Sequence, residues 1–349
     1  MHKEIIHDNK TLNVSKSIIA PSYNSRTILT DSVWEYVTSF YKQVNSINAK
    51  DALFYWQQAK SFYDASMSLN YTAKPLTNYY CILNATKSML KFKGIDEKDL
   101  SSHGVSGVHN KGYTSLNNEI IKIKGGGVLF QLKRYLECND EFDDLKLKDV
   151  LYNITYIHRA FCITYKLKQN KELFIPIYRY RFVRKSNNKE SWFEFSLENK
   201  YDNSQTLGDI GNDIEKDISY KDRNVYRFKK RFEWDAKKPE SQRIKKISSY
   251  NKYVRERVYY IYSNQYLWYI KKKENIDNII SLPSPILTFI AMHKLSEICR
   301  YQPKVFDKHL SSKSSWLLIE FINKGLLQFI DEIAAEITNN DIMPTGIRS

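Results

Sequence analysis

PLTNYYCILNATKSMLKFKGIDEKDLSSHG, residues 75–104, reads as one long helix followed by a turn. Pro75 suits a first helical turn, where its missing N–H is no loss, and Gly94 suits the residue that ends a helix in a left-handed conformation. Ile82, Leu83, Ala85, Met89 and Leu90 cover most of the circumference, and Tyr80, Asn84, Lys87 and Lys91, spaced by four, three and four, share the remaining face. A helix apolar over so much of its surface needs a partner surface. LPSPILTFIAMHKLSEICRYQPKVF, residues 282–306, has the same character, with Ser284-Pro285 as the start and Pro303 as the stop.

Outward from these stretches the helical period extends in both directions. Trp34, Val37, Phe40 and Tyr41 are in step, as are Phe54, Ala59, Phe62 and Ala65, and Leu318 to Ile337 carries a regular i, i+3/i+4 stripe. Residues 95–127 read as loop-rich, with Gly125-Gly126-Gly127 as a flexible turn. Near Phe174 the period changes: IYRYRFV (177–183), SWFEFSL (191–197), NVYRFKKRFEW (224–234) and YYIYSNQYLWYI (259–270) alternate and are rich in aromatic residues, as strands are. The acidic stretch 198–222 reads as an exposed connection. The expected organisation is an irregular lead-in (1–27), an N-terminal helical region (28–172), a basic, aromatic-rich β insertion (173–273) and a C-terminal helical region (274–349) packing on the first helices.

Hydrophobic residues at 42% against charged residues at 27% exclude a disordered chain, and the scarcity of Gly (11) and Pro (8) disfavours a turn-dense sandwich. The apolar run ILTFIAM (286–292), closed by His293 and Lys294, is far too short to span a bilayer, and no apolar leader follows Met1, so a cytoplasmic protein without membrane partners is expected. The four cysteines are dispersed without a CxxC pair, so no metal and no cofactor is expected. No phosphate-loop, dinucleotide or zinc-protease motif is present. Between Lys221 and Lys273 there are 17 Lys plus Arg against 5 Asp plus Glu, so much of the net charge of +15 is concentrated there. Arg227, Lys229, Lys230, Arg231, Lys245, Lys246, Arg255 and Arg257, interleaved with aromatics, form a candidate nucleic-acid surface. Alternation puts Tyr226 and Phe228 on one strand face and Val225 and Arg227 on the other, so the same residues also fit a solvated face over an aromatic core.

The two opening stretches together resemble the YaaC-like family, which pairs a "PL-x-x-YY-x-x-LN-x-x-K … HG" block with an "SP-x-L … L-S-x-x-x-RY-x-P" block. A weaker resemblance, covering about 40 residues and carried by the YY step and by His103-Gly104, is to HEPN helical domains. The periods give an α+β chain, predominantly helical, with a small antiparallel β insertion, and the HEPN resemblance implies that its helical core is HEPN-like. The YaaC-like resemblance places Asn84 and Lys87 on the first block and Arg300-Tyr301-Gln302-Pro303 on the second. HEPN ribonucleases carry Arg, then four to six residues, then His; no Arg here has a His at that spacing.

Three readings of function follow. The first is a protein binding nucleic acid, a nucleotide or another phosphorylated ligand, with a stress or phage-defence role by HEPN analogy. The second is an RNase-like or nucleotide-processing enzyme with His103 and Arg300 as catalytic candidates beside Lys87 in a helical cleft. The third is a non-catalytic interaction module; self-association into a homo-oligomer is left open. Tyr80, Asn84, Lys87 and Tyr301 are the candidate ligand-binding residues. Arg300 is expected to be buried near the Asn84–Lys87 helix or the His103 loop. As the last-turn cation of a helix stopped by Pro303, it also fits a plain capping role.

Overall fold

The computed structural model describes residues 2–24, 26–110, 112–141 and 144–346. In chain order come strand β1 (His2–Glu4), helices α1 (Val33–Val44), α2 (Ile47–Met67) and α3 (Lys74–Phe92), strands β2 (Val105–His109) and β3 (Glu119–Ile123), helix α4 (Val128–Tyr135), strand β4 (Asp144–Lys146), and helices α5 (Leu147–Tyr152) and α6 (His158–Thr164). Strands β5 (Phe174–Lys185) and β6 (Glu190–Ser196), helix α7 (Ser204–Ile210), strands β7 (Ile214–Lys216), β8 (Val225–Phe228) and β9 (Phe232–Glu233), helix α8 (Glu240–Arg255) and strands β10 (Val258–Ile261) and β11 (Leu267–Lys271) follow. Helices α9 (Ser284–Tyr301), α10 (Pro303–Leu310) and α11 (Ser315–Thr338) come next, before a two-residue strand at Ile342–Met343. They fall into two compact units, one of residues 2–28, Lys168–Ile279 and Asn339–Met343, the other of Leu29–Leu167, Ile280–Thr338 and 344–346.

The first unit corrects the expected fold. The structure is 48% helix and 18% strand, and its strands build a large, curled, eight-stranded antiparallel sheet, a half-barrel, rather than a small insertion in a helical core. The strand order is β7-β8-β6-β5-β11-β10, with β1 also on β5 and β9 also on β6. The first residues of the chain are part of this sheet, since His2, Lys3 and Glu4 pair with Lys185, Arg184 and Val183. The YYIYSNQYLWYI run is two strands, β10 and β11, paired with each other. A three-residue strand such as β1 or β7 offers too few alternating positions to register as a period, which is why the sheet looks smaller in the sequence than it is. Its inner face is aromatic: Phe182, Phe193, Phe195, Tyr226 and Phe228 are buried, and α8 lays Ile247, Tyr250 and Val254 against them.

The second unit is helical. The N-cap side chains of Ser32 and Ser46 accept from Glu35 N–H and Ala49 N–H and start α1 and α2. Helix α3 has Pro75 in its first turn and stops before Gly94, whose φ is +86°. It packs on α2, α9 and α11. Helix α9 is buried on all sides from Ser284 to Ser296, as a helix without a polar face must be. The stretch read as loop contributes two strands, β2 and β3, to a small antiparallel sheet completed by β4.

Candidate functional site

In the helical unit, α3, α9 and the loop after α3 bring together a set of ionisable side chains. Tyr79 on α3 is buried, and its hydroxyl lies 2.5 Å from His103 Nδ1 with the two rings stacked. Burial, with help from neighbouring Tyr80 and Glu297, raises the Tyr79 pKa, so this hydroxyl keeps its proton. His293 on α9 meets the Tyr79 ring edge-on at 4.9 Å between centroids and the His103 ring at 5.9 Å. Burial drives the His293 pKa down to about 3, and the charges of Lys294, Lys124 and, when it is protonated, His103 push the same way. The His103 pKa is also lowered, first by burial and then by the charge of Lys87. Both imidazoles are therefore neutral at pH 7.

The loop holding His103 is fixed by glycines. Gly104 has a φ of +79°, and a Cβ there would stand 2.5 Å from the Gly126 carbonyl oxygen. Gly127, with a φ of +85°, would place its Cβ 2.4 Å from Ser102 Oγ. Ser102 O and His103 O accept from Val128 N–H and Leu129 N–H at 2.8 and 3.1 Å, filling donors that the first turn of α4 leaves open. The Gly125-Gly126-Gly127 run is thus a close seat for the Ser102–Gly104 loop.

Behind this face lies a buried charge network. Glu119, fully buried at the start of β3, accepts at Oε1 from His109 Nδ1 at 2.7 Å and from His309 Nε2 at 3.0 Å, and its Oε2 is 3.2 Å from Lys294 Nζ. Burial would raise its pKa, but His309, Lys294 and His109 outweigh burial and hold it below the usual glutamate value. His109 and Glu119 are cross-strand partners of β2 and β3, and Lys294 also donates to Val108 O at 3.0 Å. Glu297, one turn after His293, accepts from Gly107 N–H at 3.1 Å; a Cβ on Gly107 would sit 1.9 Å from its carboxylate. Burial raises the Glu297 pKa, against the opposing pull of Lys294 and the Gly107 amide.

The residues singled out in the sequence divide. His103 belongs to the cluster, and Lys87 is close enough to act on it electrostatically while its ammonium lies 5.5 Å from the Tyr55 ring centre. Asn84 instead donates back to Tyr80 O of its own helix at 2.7 Å, and Tyr80 stacks on Phe62. Arg300 is not buried: it is exposed, with its guanidinium 4.9 Å from the centre of the exposed Tyr301 ring. As the basic residue in the last turn of α9 it complements the helix dipole.

In the sheet unit the basic stretch meets acids that the sequence places elsewhere. Arg227 pairs with Glu215 and Asp217 at 2.8 and 3.1 Å, Arg231 with Glu215 at 2.7 Å, Lys246 with Glu233 at 2.6 Å and Arg257 with Asp213 at 2.7 Å. Arg255 is buried and donates to Val258 O and Lys16 O. Lys229, Lys230 and Lys245 are exposed, with no carboxylate partner among the described residues. One group there has metal-ligand types, His7, Asp8 and Glu240, with ligand atoms within 4.8 Å of one another. Asn24 already bonds both His7 and Glu240, at 3.1 and 2.9 Å, so hydrogen bonding accounts for the grouping.

Tyr79, His109, Glu119, His293, Lys294, Glu297 and His309 are not among the sequence candidates. The available signal was His293-Lys294 itself: two ionisable residues inside a helix apolar on every side must have interior partners.

The family model for YaaC-like Protein matches residues 18–337, including both sequence blocks and the whole His103 cluster. The chain belongs to the YaaC-like family. No curated protein and no solved structure matches it. The HEPN resemblance finds no support. In this YaaC-like chain the first block's "HG" is the anchored His103 with the left-handed Gly104 that lets its loop meet α4. The second block's "RY" is a helix end at the surface. Among the described residues no helix is long and apolar enough to cross a membrane.

Proposed function

We propose that this YaaC-like protein binds a phosphorylated small molecule, with the phosphoryl group held at His103. The observation that carries the reading is the state of that imidazole. Tyr79, protonated and with no other acceptor for its hydroxyl, donates to Nδ1, which places the ring proton on Nε2. Among the described residues Nε2 has no hydrogen-bond partner, and His103 is only half-buried. A neutral ring presenting N–H is a donor to an anion rather than a base. Lys87 and Lys124, neither paired with a carboxylate among the described residues, supply charge around it: the first acts on His103, the second on His293 and Glu297. The same tautomer argues against His103 as a general base. The ion pairs of Arg227, Arg231, Lys246 and Arg257 favour a small phosphorylated ligand over an extended nucleic acid, which needs many free cations. A stress or phage-defence role is not part of this reading.

Calorimetric titration with inorganic phosphate and with mono- and diphosphate nucleotides tests it. His103→Ala, Lys87→Ala and Lys124→Ala are each expected to weaken binding about tenfold, the scale of one charge-assisted hydrogen bond. Arg300→Ala is expected to leave it unchanged. Binding unaffected by all three replacements, or absent for every phosphate at millimolar concentration, overturns the proposal.

A further inference from the structure

The sheet unit holds a cavity of about 480 Å³, within the roughly 300–1,000 Å³ typical of small-molecule sites. Three arginines line it, Arg179, Arg181 and Arg223. They differ in what they touch. Arg181 Nε donates to Glu194 Oε1 at 2.8 Å, and its Nη1 donates to Glu4. Glu194, a buried residue of the cavity lining, also accepts from the Tyr220 hydroxyl at 3.1 Å through both oxygens. The two cavity carboxylates are therefore taken up by Arg181 and Tyr220. Arg179 and Arg223 have no carboxylate partner among the described residues; Arg223 lies 4.9 Å from the Tyr220 ring centre.

The backbone singles out Arg179. The register between β5 and β6 shifts between Tyr178 and Arg181, and Arg179 adopts a φ of +49° inside the longest strand of the sheet. A side chain in that region costs roughly 1–2 kcal/mol, and glycine would relieve it. A bulge of this kind re-aims a side chain, and here the bulged residue is an arginine on the cavity wall. Asn13 and Ser196 add uncharged hydrogen-bonding groups to the lining, while the Thr11 hydroxyl donates to Glu4 at 2.9 Å.

We propose that this cavity is a second anion site, which takes the phosphoryl group of an organic phosphate between Arg179 and Arg223. The planar guanidinium forks suit the oxygens of a phosphate monoester. The proposal is independent of the His103 reading.

The test is titration of the full chain carrying His103→Ala with inorganic phosphate, adenosine 5′-monophosphate and, as an uncharged control, adenosine. Phosphate and the monophosphate bind and adenosine does not. Arg179→Gly, which removes the guanidinium while suiting the backbone, and Arg223→Ala each lower affinity at least tenfold in that background. Thermal stability of the Arg179→Gly protein is unchanged or higher. Binding that survives the double replacement, or no phosphate binding at millimolar concentration in the His103→Ala protein, overturns the proposal. Loss of binding on His103→Ala alone would instead leave the helical unit as the anion site and reject this one.

Discussion

Glu119 concentrates the energetic risk of the helical unit in one residue. It is fully buried and faces two imidazoles and an ammonium. Taking away one member of such a group strands the others without solvent or partner, at a cost of about 3–5 kcal/mol. Glu119→Ala is expected to lose about that much in urea unfolding, whereas Arg300→Ala, at an exposed helix end, should stay within roughly 0.5 kcal/mol. Equal effects would mean that Lys294 and His309 find other partners. Gly104→Ala is expected to destabilise by more than about 1 kcal/mol, because the left-handed backbone and the Gly126 carbonyl both oppose a Cβ; the same unfolding curves check it. Acid should reveal His293. Its folded pKa is depressed, so the unfolded chain binds a proton that the folded chain refuses. Stability is then lost as pH falls from about 6.5 toward about 3, by on the order of 5 kcal/mol at the limit. His103 adds in the same direction, and Glu297, with a raised pKa, opposes it only above the ordinary glutamate value. His293→Phe, which keeps a ring against Tyr79, should flatten the pH 4–6.5 portion of the stability profile; an unchanged slope would assign it to other groups.

At the scale of elements, the ends of α3 and the faces of β8 were legible. Pro75 and Gly94 bound the helix within a residue or two, and Tyr226 and Phe228 point to the core while Arg227 points away, as alternation implies. The charge balance was not legible. Stretch 198–222, which reads as an acidic connection, contains α7 and then β7, and β7 lies beside β8 so that Glu215 is the register partner of Arg227. Cross-strand pairing thus cancels a basic stretch with an acidic one that precedes it in sequence, and a linear window cannot see a sheet register. Arg231 uses the same Glu215 and also covers Trp192 at 4.9 Å. Glu215→Gln should therefore remove one carboxylate from each of two arginines, leaving Arg227 with Asp217 and Arg231 with Glu190. Retention on heparin at low salt is expected to rise for this variant more than for Glu198→Gln, an exposed control; equal retention would show that the Arg227 and Arg231 charges are already accessible.

For the whole molecule, the sheet unit draws on three stretches of chain and the helical unit joins Leu29–Leu167 to Ile280–Thr338. The apolar circumference of α3 and α9 is what made their need for partners readable; which strands curl into a sheet was not, because pairing is decided between residues far apart in the chain. Residues 1–172 alone lack α9 and α11, on which α3 packs, and are expected to aggregate or to melt without a cooperative transition. A sharp calorimetric transition for that fragment would show that α1 to α6 bury their own surfaces.

The burial of α9 on all sides carries a consequence for synthesis on the ribosome. About 190 residues separate the end of α3 from the start of α9. At roughly 5–20 residues per second, α3 waits about 10–40 s for the helix that covers it. During that interval its apolar side is open to holdase chaperones, and the nascent chain is most vulnerable while the sheet residues are being added.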